Sequence, residues 1–75
     1  MKPFLEIIDE GIKDEEEAIK FYTFMLSLIH DGNERRSIIH ILNDEKEHLN
    51  RLRKMRKRYI PAPATIYYSN QACTG

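Results

Sequence analysis

Apolar side chains recur in this chain at alternating steps of three and four residues, the repeat of a helix that buries one face. One run is Leu5, Ile8, Ile12, Glu15, Ile19, Tyr22, Leu26 and Ile29, and a second is Ile38, Ile41, Glu45, His48, Leu52, Met55 and Tyr59. The ionisable groups that interrupt the runs are Glu15 in the first and Glu45 and His48 in the second. Glu45 and His48 are three residues apart, one above the other on a helix face. Burying an unpaired carboxylate is so unfavourable that it would normally protonate. A core with two carboxylates and an imidazole therefore wants a compensating cation, and a bound metal supplies one.

The boundaries of both helices are legible. Pro3 suits a first turn, since its missing N–H would be unpaired there anyway, and the first helix is predicted from Pro3 to about Ile29 with Gly11 as its weak point. His30-Asp31-Gly32-Asn33 reads as a turn, with Gly32 able to take the left-handed conformation that ends a helix and Asp31 or Asn33 able to cap the next. That helix runs from about Glu34 to Tyr59 and is stopped by Pro61 and Pro63. The expected fold is all-α, an antiparallel helical hairpin over residues 1–60, followed by an extended or disordered tail, 61–75, with a β-prone stretch Thr65-Ile66-Tyr67-Tyr68. Glu15 precedes the turn by about 22 Å, and the midpoint of Glu45 and His48 follows it by about 20 Å, at ~1.5 Å per residue. The three side chains should thus share one level of the hairpin.

At 75 residues the chain is near the size where one hydrophobic core supplies only about 3–5 kcal/mol. Two helices bury one stripe each, so two copies forming a four-helix bundle is the natural remedy. Cys73 is the sole cysteine, which excludes an internal disulfide and fits a reducing, cytoplasmic setting. No basic segment leads into an uninterrupted apolar run, so neither export nor membrane insertion is expected. Twelve Lys and Arg balance twelve Asp and Glu, and net charge points to neither nucleic acid nor a membrane surface. The run Arg51 to Arg58 is basic, but Leu52 and Met55 continue the apolar seam within it, so its cations read as a solvated outer face. Acid between Asp9 and Glu17, set near that base, helps specify subunit pairing.

One hairpin has too few donors to enclose a two-metal centre. Two copies give Glu15, Glu45 and His48 twice over around two divalent ions, a donor set suited to iron or manganese. The segments Glu15-Glu16-Glu17-Ala18-Ile19-Lys20-Phe21-Tyr22 and Asp44-Glu45-Lys46-Glu47-His48 resemble the first half of the ferritin-like di-iron carboxylate proteins, rubrerythrins and their relatives. The resemblance covers roughly residues 4–56. It rests on a Glu followed by Ala three and Tyr seven residues on, as Glu15, Ala18 and Tyr22 stand here, and on Glu-x-x-His. The chain carries this pattern once, so it is most similar to half-length forms, such as encapsulated ferritins, that dimerise to complete the site.

The resemblance implies a ferritin-like four-helix bundle built by a homodimer or larger homo-oligomer. It implies Glu45 as a bridging or chelating ligand, His48 as the terminal nitrogen ligand, Glu15 as the other helix's ligand, and Tyr22 as a hydroxyl beside the centre. Iron is the implied metal, with manganese or zinc as substitutes, and an encapsulating shell is an implied partner. The expected activity is that of a ferroxidase, an oxidoreductase taking Fe(II) with dioxygen or peroxide, with Ile12, Ile19, Ile41 and Leu49 limiting water access. No Cys-x-x-Cys pair is present, so the alternative, a rubrerythrin-type peroxidase, needs an external electron donor. The tail also lacks the short Leu- and Gly-containing targeting sequence expected of encapsulated cargo.

A third reading is metal-free, a structural or adaptor bundle in which Glu45 and His48 form a hydrogen-bonded pair that fixes helix register. Glu16, Glu17, Asp44 and Glu47 point off the seam and read as solvated charges. His30 and His40 read as surface residues.

Overall fold

A computed structural model describes residues 2–60 of the chain, and the tail expected at 61–75, with its β-prone stretch and Cys73, lies outside the described residues. Two helices account for nearly all of them: α1, Phe4–Leu28, and α2, Gly32–Tyr59. They run antiparallel, since the start of α1 meets the end of α2 where Phe4 stacks edge-on against Tyr59, ring centroids 5.1 Å apart. No helix among the described residues is long and apolar enough to cross a membrane.

The start of α1 has no side-chain cap, whereas its end and both ends of α2 have partners. Pro3 precedes α1 and its carbonyl accepts from the Ile7 amide at 3.2 Å. Of the two caps the sequence offers, Asp31 takes the role: its Oδ2 accepts from the Glu34 amide at 2.9 Å, and α2 begins at Gly32. Gly32 therefore enters α2 as its first helical residue and not as a left-handed terminator. An aspartate cap fills one of the four orphan amides at a helix start, which removes any need for the glycine to reverse the chain. The last carbonyls of α1 have no basic residue of their own turn to meet. Arg35 of α2 supplies the donor instead, its Nη1 reaching Leu26 O at 2.6 Å and Ile29 O at 2.8 Å. Arg56, Lys57 and Arg58 in the last turn of α2 complement its dipole.

The seam between the helices is narrow. Ile8, Ile38, Leu42 and Leu49 are buried, and no polar or charged residue among those described is buried with them. The first predicted stripe lies wholly in or beside this seam. The second is shifted: the residues of α2 that meet α1 are Ile38, Leu42, Glu45, Leu49 and Leu52, whereas Ile41, His48 and Tyr59 stand on its shoulder, exposed. Choosing the 3–4 steps through Ile41 and His48 missed Leu42, because α2 is apolar over a wider arc than one stripe and spacing alone does not say which edge of that arc faces α1. Leu52 packs over α1 at Gly11, where a Cβ would stand 3.4 Å from Leu52 Cδ1, within ordinary van der Waals contact, so the packing does not demand a glycine.

The hairpin has two unlike broad faces. The front carries the Phe4–Tyr59 stack. It also carries His48, which lies eleven residues, or about three turns, from Tyr59 and so shares its direction. The back carries ion pairs between the helices, Arg53 to Glu16 at 3.0 Å and Arg56 to Asp9.

Candidate metal centre

Glu15 from α1 and Glu45 and His48 from α2 meet at one level, as the distances from the turn predict. One ligand-capable atom from each lies within 4.8 Å of the others. His48 Nδ1 stands 3.2 Å from Glu45 Oε1 and 3.5 Å from Glu15 Oε2, so the imidazole nitrogen sits between the two carboxylates. The carboxylates are sheltered, with side chains 20% and 21% exposed, while the His48 side chain is 52% exposed. The group is thus a half-open cup, walled by the helix seam behind and open to the front. The expectation of a fully buried cluster fails for one hairpin, since His48 stands on the shoulder of α2.

Electrostatics mark Glu15. Burial against α1 and α2 pushes its carboxyl above the usual range, the hydrogen bond and negative charge of Glu45 push it the same way, His48 opposes them, and Asp14 adds a smaller upward push. Two carboxylates this close resist ionising together unless a cation lies between them. Asp14 is a contributor that the helical stripe did not reveal; its adjacency to Glu15 in the chain was the available signal.

Around the cup, Ile12 and Ile19 are half-buried and Leu49 is buried, but Ile41 is exposed, so the apolar shell is complete on the hairpin side alone. Tyr22 is half-buried and its ring packs edge-on against Phe21, centroids 5.4 Å apart. Among the described residues its hydroxyl makes no hydrogen bond to Glu15, Glu45 or His48, so one chain does not bring Tyr22 into the cluster. Glu17, Asp44, Glu47, His30 and His40 are exposed as expected. Glu16 is engaged by Arg53 on the back. An open groove of about 390 Å³ lies beside Glu16, Ile19, Lys20 and Leu49 and does not include the three donors.

The donor set is chemically coherent. Oxygen and nitrogen ligands suit iron, manganese and zinc, and di-iron carboxylate bundles use a Glu from one kind of helix and Glu-x-x-His from the other. α1 is of the first kind and α2 of the second, so the residues present fit half of such a centre. Comparison of the chain with protein-family models, with curated proteins and with solved structures finds no match.

Proposed function

We propose that this chain binds iron in an inter-subunit di-iron centre made from Glu15, Glu45 and His48 of two copies, and that it oxidises Fe(II) with dioxygen or peroxide. The observation that carries this reading is the convergence of two sheltered carboxylates and an imidazole within 4.8 Å, in a cup that opens on an apolar face. One hairpin offers three protein donors. A second cup brought against the first doubles them and closes both from water. The ferritin-like resemblance of the two ligand segments supports the same reading.

Bound iron would supply the electron passed to dioxygen or peroxide. The chain's own part is positional and electrostatic. Glu15 and Glu45 would favour the more highly charged ferric product over the ferrous reactant, and His48 would add a nitrogen donor to the same ion. Ile12, Ile19 and Leu49 shield the carboxylates from water on the hairpin side, which strengthens their attraction for a cation.

The test is an anaerobic Fe(II) titration of metal-free protein, followed by air, with ferric absorbance and solution mass recorded together. Saturation at two irons per dimer is expected, with a ferric signal after air. Glu45→Ala and His48→Ala should each abolish stoichiometric binding while the protein stays helical. Binding retained in both variants sinks the reading, and an unliganded dimer of unchanged mass leaves Glu45 and His48 as a register-setting pair. Peroxide consumption with a supplied reductant, in place of Fe(II) turnover, would assign the same centre to peroxidase chemistry.

A further inference from the structure

The back of the hairpin holds a groove that the candidate centre does not use. Its floor is Ile19 of α1 and Leu49 of α2, its rim carries the charged side chains of Glu16 and Lys20, and its volume is about 390 Å³. The rim is wet, since the Glu16 side chain is 45% exposed and that of Lys20 77%. An apolar floor under a wet, charged rim suits a side chain with an apolar body and a polar tip, which is the chemistry of tyrosine. A lysine at the rim adds a cation that a tyrosine ring face attracts.

Distance along the hairpin says which residues could supply it. Phe4 meets Tyr59, Gly11 meets Leu52 and Glu15 meets His48, so Ile60, just past α2, stands level with Pro3. The groove then begins about 16 Å from Ile60, at Leu49, and ends about 25 Å from it, at Lys20, at ~1.5 Å per helical residue. Beyond Ile60 the large apolar and aromatic residues come as one consecutive set, Ile66, Tyr67 and Tyr68. An extended chain advances ~3.3 Å per residue, which carries Thr65 about 16 Å and Tyr68 about 26 Å from Ile60, the same span as the groove. Where two residues are spent on turning back along the hairpin, Tyr67 and Tyr68 still fall at about 16 and 20 Å. Pro61 and Pro63 favour an extended lead of this kind.

From this match of reach and chemistry we propose that the segment 66–68 of the same chain occupies the groove, as a strap across the back of the hairpin. A shallow groove is enough for an occupant so tethered. A short linker holds its segment at an effective concentration in the millimolar range, so a contact too weak to hold a free peptide is filled within the chain. Ile19 and Leu49 also wall the cup from behind, so the strap lays a second apolar layer behind Glu15 and Glu45. The inference rests on neither metal nor dimer.

The test is NMR of the full chain in chelator, with the Ile and Leu methyl groups labelled. Nuclear Overhauser contacts are expected from the Tyr67 or Tyr68 ring to the methyls of Ile19 and Leu49. In the Tyr67→Ser, Tyr68→Ser double variant, which changes nothing within either helix, the ring-current shifts of those methyls should be lost, while Ile8 and Ile38, at other levels of the seam, keep theirs. Absence of these contacts, with Ile19 and Leu49 shifts unchanged in the variant, overturns the proposal. Contacts to Ile7 or Ile41 in their place put the segment on the front and overturn it as well. So do contacts seen only between differently labelled copies, since the occupant is then a second molecule. None of these signals depends on iron, so the strap and the di-iron reading stand or fall separately.

Discussion

On the back of the hairpin Arg53 reaches Glu16 and Arg56 reaches Asp9 across the two helices. On the front Phe4 and Tyr59 stack, Ile7 and Phe21 are bare, and His48 leans out over two sheltered carboxylates. The back carries two ion pairs between the helices, both open to water and both made within one chain. The front is unfinished, because apolar area and crowded carboxylates both gain from being covered, one by another apolar surface and the other by a cation. The stability of the front should therefore depend on association and on metal, and that of the back on neither.

The sharpest way to break this contrast is a charge on the front ridge. If two copies meet on the front, Ile7→Lys removes one apolar contact per copy, and since Ile7 is 47% exposed in the hairpin about half of the roughly 1.5–3 kcal/mol for fully burying an isoleucine is at stake each time. Its effect enters twice, so the dimer dissociation constant should rise at least about tenfold, read by sedimentation equilibrium, at about 1.4 kcal/mol per tenfold. Helical signal should persist at high protein concentration. An unchanged dissociation constant would mean that the front is not the assembling surface.

A weaker effect should appear with pH. Glu15 has its carboxyl raised by burial, by Glu45 and by Asp14, against the opposing pull of His48. A raised carboxyl means that the fold binds the proton more tightly than the unfolded chain does. Its contribution to stability is thus fully present below the ordinary carboxylate range and is lost as pH rises through the elevated folded value. In chelator, denaturation midpoints of the wild type should fall with rising pH across that window by more than those of Glu15→Gln, which keeps the hydrogen-bonding shape without the charge. With saturating metal the order should reverse, since the ion binds the carboxylate and not the amide. Parallel pH profiles in chelator for the two proteins would show that the front carboxylates are not strained by proximity.

The helices, their ends and the level at which Glu15 meets Glu45 and His48 were legible in the sequence, because each follows from local rules: spacing, proline and rise per residue. Azimuth was not. Leu42 and Leu49 took the seam and left Ile41 and His48 on the shoulder, an outcome decided by which edge of a wide apolar arc packs on α1. At the turn the Asp31 cap follows from a local rule, while Gly32, which could have ended α1 in a left-handed conformation, opens α2 instead. Arg35, which closes the end of α1 from the other helix, had no signal in its own neighbourhood, being nine residues from Leu26 along the chain. For the candidate centre, residue types and heights were readable. The open side was not, since exposure of His48 depends on packing between helices.

The smallest effect is expected on the back. Arg53 and Glu16 are separated by 3.0 Å, with side chains 56% and 45% exposed, so water screens them and each long side chain loses freedom in pairing. Such pairs contribute about 0–1 kcal/mol. Arg53→Ala, Glu16→Gln and the double variant should show a coupling energy in that range by chemical denaturation, shrinking as salt is raised. Dimer mass and iron stoichiometry should stay at wild-type values in all three, because neither residue faces the front. Should Glu16→Gln lower iron binding, the groove it shares with Ile19, Lys20 and Leu49 would have to be reckoned part of the ion's route to the cup, and the back could no longer be treated as structural alone. A coupling energy well above the exposed-pair range would point another way: the pair would be holding the helices at the separation that lets Glu15 reach His48, and the two faces would then share one energetic unit.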